Sequence, residues 1–232
     1  VISDNHRKLD RATVQYFTNA KNSERDEGVN KEFVIRGFIA LPNGSSLLML
    51  EEDFMYTTTY TTSQGQTRST NHYISKAIMI ANITSDGEIN WINHIPKHQH
   101  SINDGGMLNS FSYFIDKDRI KFLFSDNENN YDTQTLNLKV QNAKSINSMI
   151  VSTNGSAIAL AELEFNGKIN QKLVLRSSKN ILIARNAAWT SSGKEVYLEA
   201  SKRLPTGKVL LGCLFPPYGC YLYFKYKSWG FS

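Results

Sequence analysis

The chain has 232 residues, 41% hydrophobic and 20% charged, which is enough apolar content to bury a core in one domain or two small ones. No apolar run approaches the roughly 18 residues of a membrane span, so membrane insertion is not expected. The net charge of +5 lies entirely after Glu199, in Lys202, Arg203, Lys208, Lys225 and Lys227; the rest of the chain is balanced. Tyr221, Tyr223, Phe224, Tyr226 and Trp229 stand among those cations, but they read as strand residues with solvated neighbours. No nucleic-acid partner is therefore expected.

Residues 1–32 form the first segment. The chain begins at Val1, without an initiator Met or a signal-like stretch, and the expectation is a processed chain whose targeting peptide has been removed. Ser3, Asp4 and Asn5 offer a helix cap, and Leu9, Ala12, Tyr16, Phe17 and Ala20 follow at helical spacing. A short helix over Asp4–Lys21 is predicted, with Thr13–Thr18 as an alternative strand. Asn22–Asn30 reads as a linker.

From residue 33 the pattern changes to short runs of Thr, Ile, Val, Tyr and Phe punctuated by turns, the composition of half-buried strands. Residues 33–97 hold two hairpins. Ile39–Glu52 turns at Pro42-Asn43-Gly44, and Ile78–Ile95 turns at Ser85-Asp86-Gly87. Between them Phe54–Ser75 reads as an inserted long hairpin turning at Gln64-Gly65. Residues 98–177 repeat the order. Tyr113–Asp126 turns near Asp116-Lys117-Asp118, Asn127–Ser148 connects, and Ile158–Leu175 turns at Phe165-Asn166-Gly167. The later hairpins align without a gap, with identity at Ile78 and Ile158, Ala81 and Ala161, Gly87 and Gly167, Ile89 and Ile169, and Asn90 and Asn170. The Asp-Gly and Asn-Gly turns predict type I′ geometry, with positive φ at both central positions.

Residues 178–232 form a degenerate third unit. Ala187–Ala200 starts 74 residues after Tyr113, as Tyr113 starts 74 after Ile39. Val209–Tyr226 follows, with Pro216-Pro217-Tyr218-Gly219 in place of the Asp-Gly turn. That turn would set Cys213 and Cys220 on antiparallel segments, as a disulfide or as two free thiols. Two cysteines alone make no zinc site. The fold class expected is mostly β: four-stranded antiparallel blade-like repeats of a partial or distorted β-propeller, with a short N-terminal helix. A β-sandwich is the alternative. Three blades do not close a ring that usually takes about 4 to 8.

The unit running through Leu41–Glu52, Tyr56–Tyr73, Ile78–Ile83, Asp86-Gly87 and Trp91 resembles the blade repeat of uncharacterised propeller-like proteins of Bacteroidetes-type bacteria. In the second unit Gln171 stands where Trp91 does, a departure from that pattern. The resemblance implies a propeller-like fold and export to the periplasm or cell surface. It implies no activity.

Candidate chemistry is sparse. His94, His98 and His100 flank Pro96 and could share a metal only if the segment bent there; they read as a polar loop. Asp126, Glu128 and Asp132 alternate like calcium ligands but lack the Gly and Glu of a calcium loop. Within Glu51-Glu52-Asp53, which ends a strand, only Glu51 and Asp53 could share a face, the weak form of the carboxylate pair a glycosidase would need. No cofactor and no metal are expected. Tyr56, Tyr60, Arg68, His72 and Tyr73, on the Tyr- and Thr-rich hairpin, are the candidate binding residues, because Tyr gives contact area at low entropic cost. The function expected is a non-catalytic binding or scaffold module recognising a protein or glycan. The alternatives are a hydrolase with an acidic blade-end cleft and a structural part of a larger propeller. Three or more of Glu51, Asp53, His72, Asp126 and Glu128 within about 8 Å of one another, around a pocket, would favour the hydrolase.

Overall fold

The structure is a computed structural model, and it describes residues 32–116, 118–139, 146–150, 156–177, 180–191, 195–202 and 222–227. The helix expected at Asp4–Lys21 and the pair Cys213 and Cys220 lie outside the described residues. The strands are β1 Phe33–Ala40, β2 Ser46–Thr61, β3 Thr67–Ile83, β4 Ile89–Ile95 and β5 Gln99–Ile102. Then come β6 Phe111–Ile115, β7 Arg119–Asp126, a 3₁₀ turn at Glu128–Asn130, β8 Met149–Ile150, β9 Ser156–Glu164 and β10 Ile169–Ser177. The last are β11 Asn180–Trp189, β12 Glu195–Lys202 and β13 Leu222–Lys227. The described chain is mostly β and holds no α-helix.

Three sheets result, none of them closed. In the first, β1 to β4 follow one another antiparallel, and β5 continues the edge beyond β4 by pairing with Tyr73 and its neighbours in β3. β8 adds to β5 in parallel. The second sheet has the order β10-β9-β7-β6 and the third β11-β12-β13. The later hairpins of the first two sheets share their outer pairs. Ile78 faces Ile95 and Ile83 faces Ile89, and Ile158 faces Leu175 and Leu163 faces Ile169. The register shift inside each falls at a different place.

The turn geometry departs from the expected type I′. In the turns at Gly44, Gly65, Gly87 and Gly167 the glycine has positive φ, and the residue before it does not. Each glycine N–H donates to the carbonyl three residues back, and that residue's N–H donates to the carbonyl just after the glycine. This is a type I turn closed by a left-handed glycine. A second departure concerns Phe54–Ser75. It is no separate hairpin but the continuation of β2 and β3 themselves, which run 16 and 17 residues.

Apolar residues on alternate positions set the layers. Leu47, Met49, Ile78, Ile80 and Ile95 of the first sheet meet Phe122, Phe124, Ala159, Ala161 and Leu163 of the second in one core. The other face of the second sheet, with Leu123, Ile158 and Leu160, packs on Ala184 and Val196 of the third. The second sheet is therefore covered on both faces, which accounts for the nearly continuous burial along β7 and β9. Each fully buried Phe or Leu contributes roughly 1.5–3 kcal/mol relative to exposure. The outer face of the first sheet carries a smaller cluster around Ala77 and Met79, and Ile35 there is 67% exposed.

The turn at Gly167 docks against β4. A Cβ there would lie 2.9 Å from Asn93 Nδ2 and 3.3 Å from the Trp91 ring, whereas one on Gly87 would meet nothing. Both have left-handed φ, 95° and 90°. Gly87→Ala should therefore cost about 1–2 kcal/mol, from backbone conformation alone. Gly167→Ala should cost more, because its turn must also move off β4. Urea unfolding of the two variants compares them.

Candidate functional site

Two places gather functional side chains. The first is a charged seam between the first and second sheets. Its origin is a bulge in β1: the register slips between Ile35 and Gly37, so Arg36 is the extra residue, turned toward β2. Arg36 Nε donates to Glu51 Oε2 at 2.6 Å, and its Nη2 donates to Asp53 Oδ2. Glu51, 0% exposed, pairs through Oε1 with Lys97 Nζ at 2.5 Å and accepts from Ser110 Oγ at 2.7 Å. Asp53 also accepts from Ser75 Oγ at 2.9 Å.

Lys97 lies in the link between β4 and β5 and donates to Gln99 Oε1 at 3.0 Å. Gln99 ties the sheets together. Its Oε1 accepts from Ser110 N at 2.6 Å, and its Nε2 donates to the carbonyls of Ser110, at 3.1 Å, and Ser125, at 2.8 Å. The clamp holds Ser110 at a φ of 74°, a conformation that costs a non-glycine residue on the order of 1–3 kcal/mol.

The seam continues into the second sheet. Asp126 Oδ2 accepts from Tyr131 Oη at 2.6 Å, and Oδ1 accepts from Asn130 Nδ2 at 2.9 Å and from Asn127 N at 2.7 Å. Gln171 Nε2 donates to Tyr131 Oη at 2.7 Å and to the Pro96 carbonyl at 3.2 Å. Gln171 thus bridges the sheets at the position where the first unit carries Trp91.

Charge in this seam is set by burial against pairing. Burial alone would raise the Glu51 carboxyl, but Lys97, Ser110 and Arg36 together hold it below its usual range. Burial also works against the Lys97 charge, opposed by Glu51, Asp53 and Asp126. Asp126 is pushed up to about 6, by burial first, against the hydrogen bonds from Tyr131, Asn127 and Asn130. Burial, with Asp126 beside it, pushes the Tyr131 phenol up as well.

The hydrolase candidates divide. Glu51, Asp53 and Asp126 surround Lys97, but each already accepts bonds from named neighbours, and Asp126 is 1% exposed. Glu128 instead faces Arg176 at 3.5 Å, and His72 stands on the long hairpin. The calcium-like alternation also disperses: Asp132 caps its own turn through the N–H groups of Gln134 and Thr135. His94 lies on β4 opposite Met79, His98 O accepts from Met149 N, and His100 faces His72. Among the described residues no three His, Cys, Asp or Glu side chains gather as a metal site. No described helix is long and apolar enough to cross a membrane.

The second place is the arm made by β2 and β3 beyond Asp53. The ladder of β1 ends where Asp53 N donates to Glu32 O, while β2 runs on to Thr61. Residues 55–61 and 63–69 are exposed on both faces. At about 3.4 Å per residue the arm reaches roughly 27 Å past the last rung of β1. Cross-strand pairing sets its faces. Tyr56 opposes His72, Thr58 opposes Thr70 and Tyr60 opposes Arg68, so Tyr56, Tyr60, Arg68 and His72 share one face. Tyr73 is on the other, against Gly106, with its carbonyl bonded by Asn109.

At the arm's base Tyr56 stacks on His72 with ring centroids 4.6 Å apart. His72 Nε2 lies 2.9 Å from Thr58 Oγ1, and His72 Nδ1 lies 2.9 Å from His100 Nε2 on β5. Burial, and then the neighbouring His72, lower the His100 value. The sequence reading selected the arm residues but not Thr58 or His100 as part of this row, because the pairing of β5 with β3 has no local signal. It missed Arg36, Lys97, Gln99, Ser110, Tyr131 and Gln171, because a bulge in β1 and the contact between two sheets leave no local signal either. No protein-family model, curated protein or solved structure matches this chain.

Lys97→Met would leave Glu51 buried with part of its charge uncompensated, a loss expected to cost about 3–5 kcal/mol; denaturant unfolding against the unsubstituted protein measures it. His98 supplies a pH test. Burial, then Lys76 and His100, bring it down from 6.5 to about 4. The folded state thus keeps it neutral, while the unfolded chain takes up a proton below about 6.5, so its contribution is present above that pH and is lost on acidification toward 4. Asp126, raised in the fold, acts with the opposite sign over 3.8 to 6. His98→Gln should therefore make the melting temperature fall less steeply from pH 6.5 to 4 than in the unsubstituted protein; an unchanged slope counts against the assignment.

Proposed function

We propose that the chain is a non-catalytic binding module of stacked blade-like sheets, and that the β2–β3 arm is its contact surface for a protein partner. The observation that carries this is the arm's exposure on both faces, with Tyr56 and Tyr60 43% and 53% exposed. The arm carries Arg68 as its only formal charge between Phe54 and Tyr73. A two-stranded ribbon is marginal on its own in water, and Tyr, Thr and Asn along it suit contact by side chains and by strand pairing. The flat faces fit an extended polypeptide better than a sugar ring, which asks for a concave site.

The seam around Lys97 is read as structural. Its carboxylates are neutralised by Arg36 and Lys97 and are shut between sheets. The blade reading over the sandwich rests on the second sheet, whose two faces both meet other sheets. A two-sheet sandwich leaves each outer face to solvent, whereas blades stack in series. An exported setting belongs to the same proposal, through the resemblance to bacterial blade-repeat proteins.

The test is a displayed library of extended peptides, with a glycan array beside it, probed with the protein and with Tyr56→Ala/Tyr60→Ala. Peptides selected by the protein should bind the variant at least about tenfold more weakly, a loss of about 1.4 kcal/mol, at unchanged melting temperature. Ligands indifferent to the arm, glycan hits alone, or a hydrolytic activity abolished by Glu51→Gln would overturn the reading.

A further inference from the structure

The arm's outer edge has a property independent of what its faces bind. Asp53 N points away from β3, to Glu32 O, and Thr62 N points toward it, to Gln66 O. Backbone direction alternates along a strand. Met55, Thr57, Thr59 and Thr61 therefore turn their N–H and C=O groups outward, along an edge that no described strand pairs. Natural sheets usually blunt such an edge with charge, proline or a bulge. Residues 54–61 contain no charge and no proline, and the register with β3 is unbroken there.

The edge also reads the same in both directions about Thr58: Tyr56, Thr57, Thr58, Thr59, Tyr60. An antiparallel contact between identical strands requires that self-complementarity, because a two-fold axis sets residue i of one copy against residue j of the other and j against i. We propose that this edge pairs with the same edge of a second copy of the chain, with the two-fold axis at Thr58. Thr57 then exchanges backbone bonds with Thr59 of the second copy, and Met55 with Thr61. Tyr56 lies beside Tyr60 of the second copy on one face, twice over. Thr58 faces itself in a non-hydrogen-bonded pair, where side chains are closest. Two marginal ribbons become one four-stranded sheet. Its face carries Arg68, Tyr60, Tyr56 and His72 as a row across both copies, and the cation at Arg68 is held one strand away from the axis.

The full chain in size-exclusion chromatography with light scattering should give twice the chain mass at high micromolar concentration. Thr57→Pro/Thr59→Pro removes two outward N–H groups and leaves the inward ladder to β3 intact, as an edge strand allows. It should bring the mass to that of one chain at an unchanged melting temperature. As a measurement that does not depend on that variant folding, Thr58→Cys should form an intermolecular disulfide on mild oxidation. Ser69→Cys, on β3 and away from the axis, should not. A monomer at every concentration, a dimer indifferent to the proline pair in a folded variant, or equal cross-linking of the two cysteine variants would overturn the proposal. A monomer whose Tyr56→Ala/Tyr60→Ala form still loses its peptide ligands would overturn the pairing alone and leave the binding reading standing.

Discussion

The contact between Glu51 and Lys97 is the buried charge pair around which the seam between the first two sheets is built. Both groups are fully buried, and the cost of desolvating two charges, several kcal/mol each, is offset only where the geometry is close and the remaining valences are filled. Arg36, Ser110 and Gln99 fill them. The consequence is positional. Ser110 donates to Glu51, and Gln99 bonds the carbonyls of Ser110 and Ser125, so the pair in the first sheet is tied to the second by directional bonds as well as by apolar packing. The bulge aims Arg36 at the same carboxylate, and Ser110, at its positive φ, meets both Glu51 and Gln99.

The same seam holds Glu51 and Asp126 away from solvent. A carboxylate available to a substrate needs a solvent path and spare lone pairs. Glu51 and Asp126 are 0% and 1% exposed, and both oxygens of each meet a neighbouring donor or cation. Asp126 shows the other side of the balance: burial raises it toward neutrality, yet Tyr131 and Asn130 still hold it in a network that bridges through Gln171 to Pro96. In structural terms the seam is a lock, and the arm is the part left free.

The arm depends on the lock at one end. β3 is held on both edges as far as Asn71, by β2 and by β4 and then β5, and beyond that, among the described strands, only β2 pairs with it. Tyr56, His72, Thr58 and His100 mark this boundary. Order therefore falls off from the base, where three strands share a ladder, toward Gln64 and Gly65 at the tip, where two do. A surface of this kind is suited to being completed by another strand.

Strand positions and most turns were legible in the sequence, because alternation, β-branched runs and Gly after Asn, Asp or Gln are local signals with a local cause. The hairpins that turn at Gly44, Gly87 and Gly167 were visible for the same reason, as was the reversal at Gln64-Gly65. The precise turn type was not, since a type I turn and a type I′ turn both accept Gly at the same place and differ in the φ of the residue before it. Nor was the continuity of β2 through Thr61, because strand length depends on which neighbours extend alongside. The charged seam was out of reach altogether. Lys97, Gln99, Ser110 and Tyr131 are ordinary in sequence and become a unit only when β5 crosses from β4 to join β3 and the second sheet closes over it. The sequence by itself determined which segments are strands and where they reverse. The tertiary structure alone decided which charges meet, because a buried pair is set by packing between strands far apart in the chain, and no short-range preference encodes that distance.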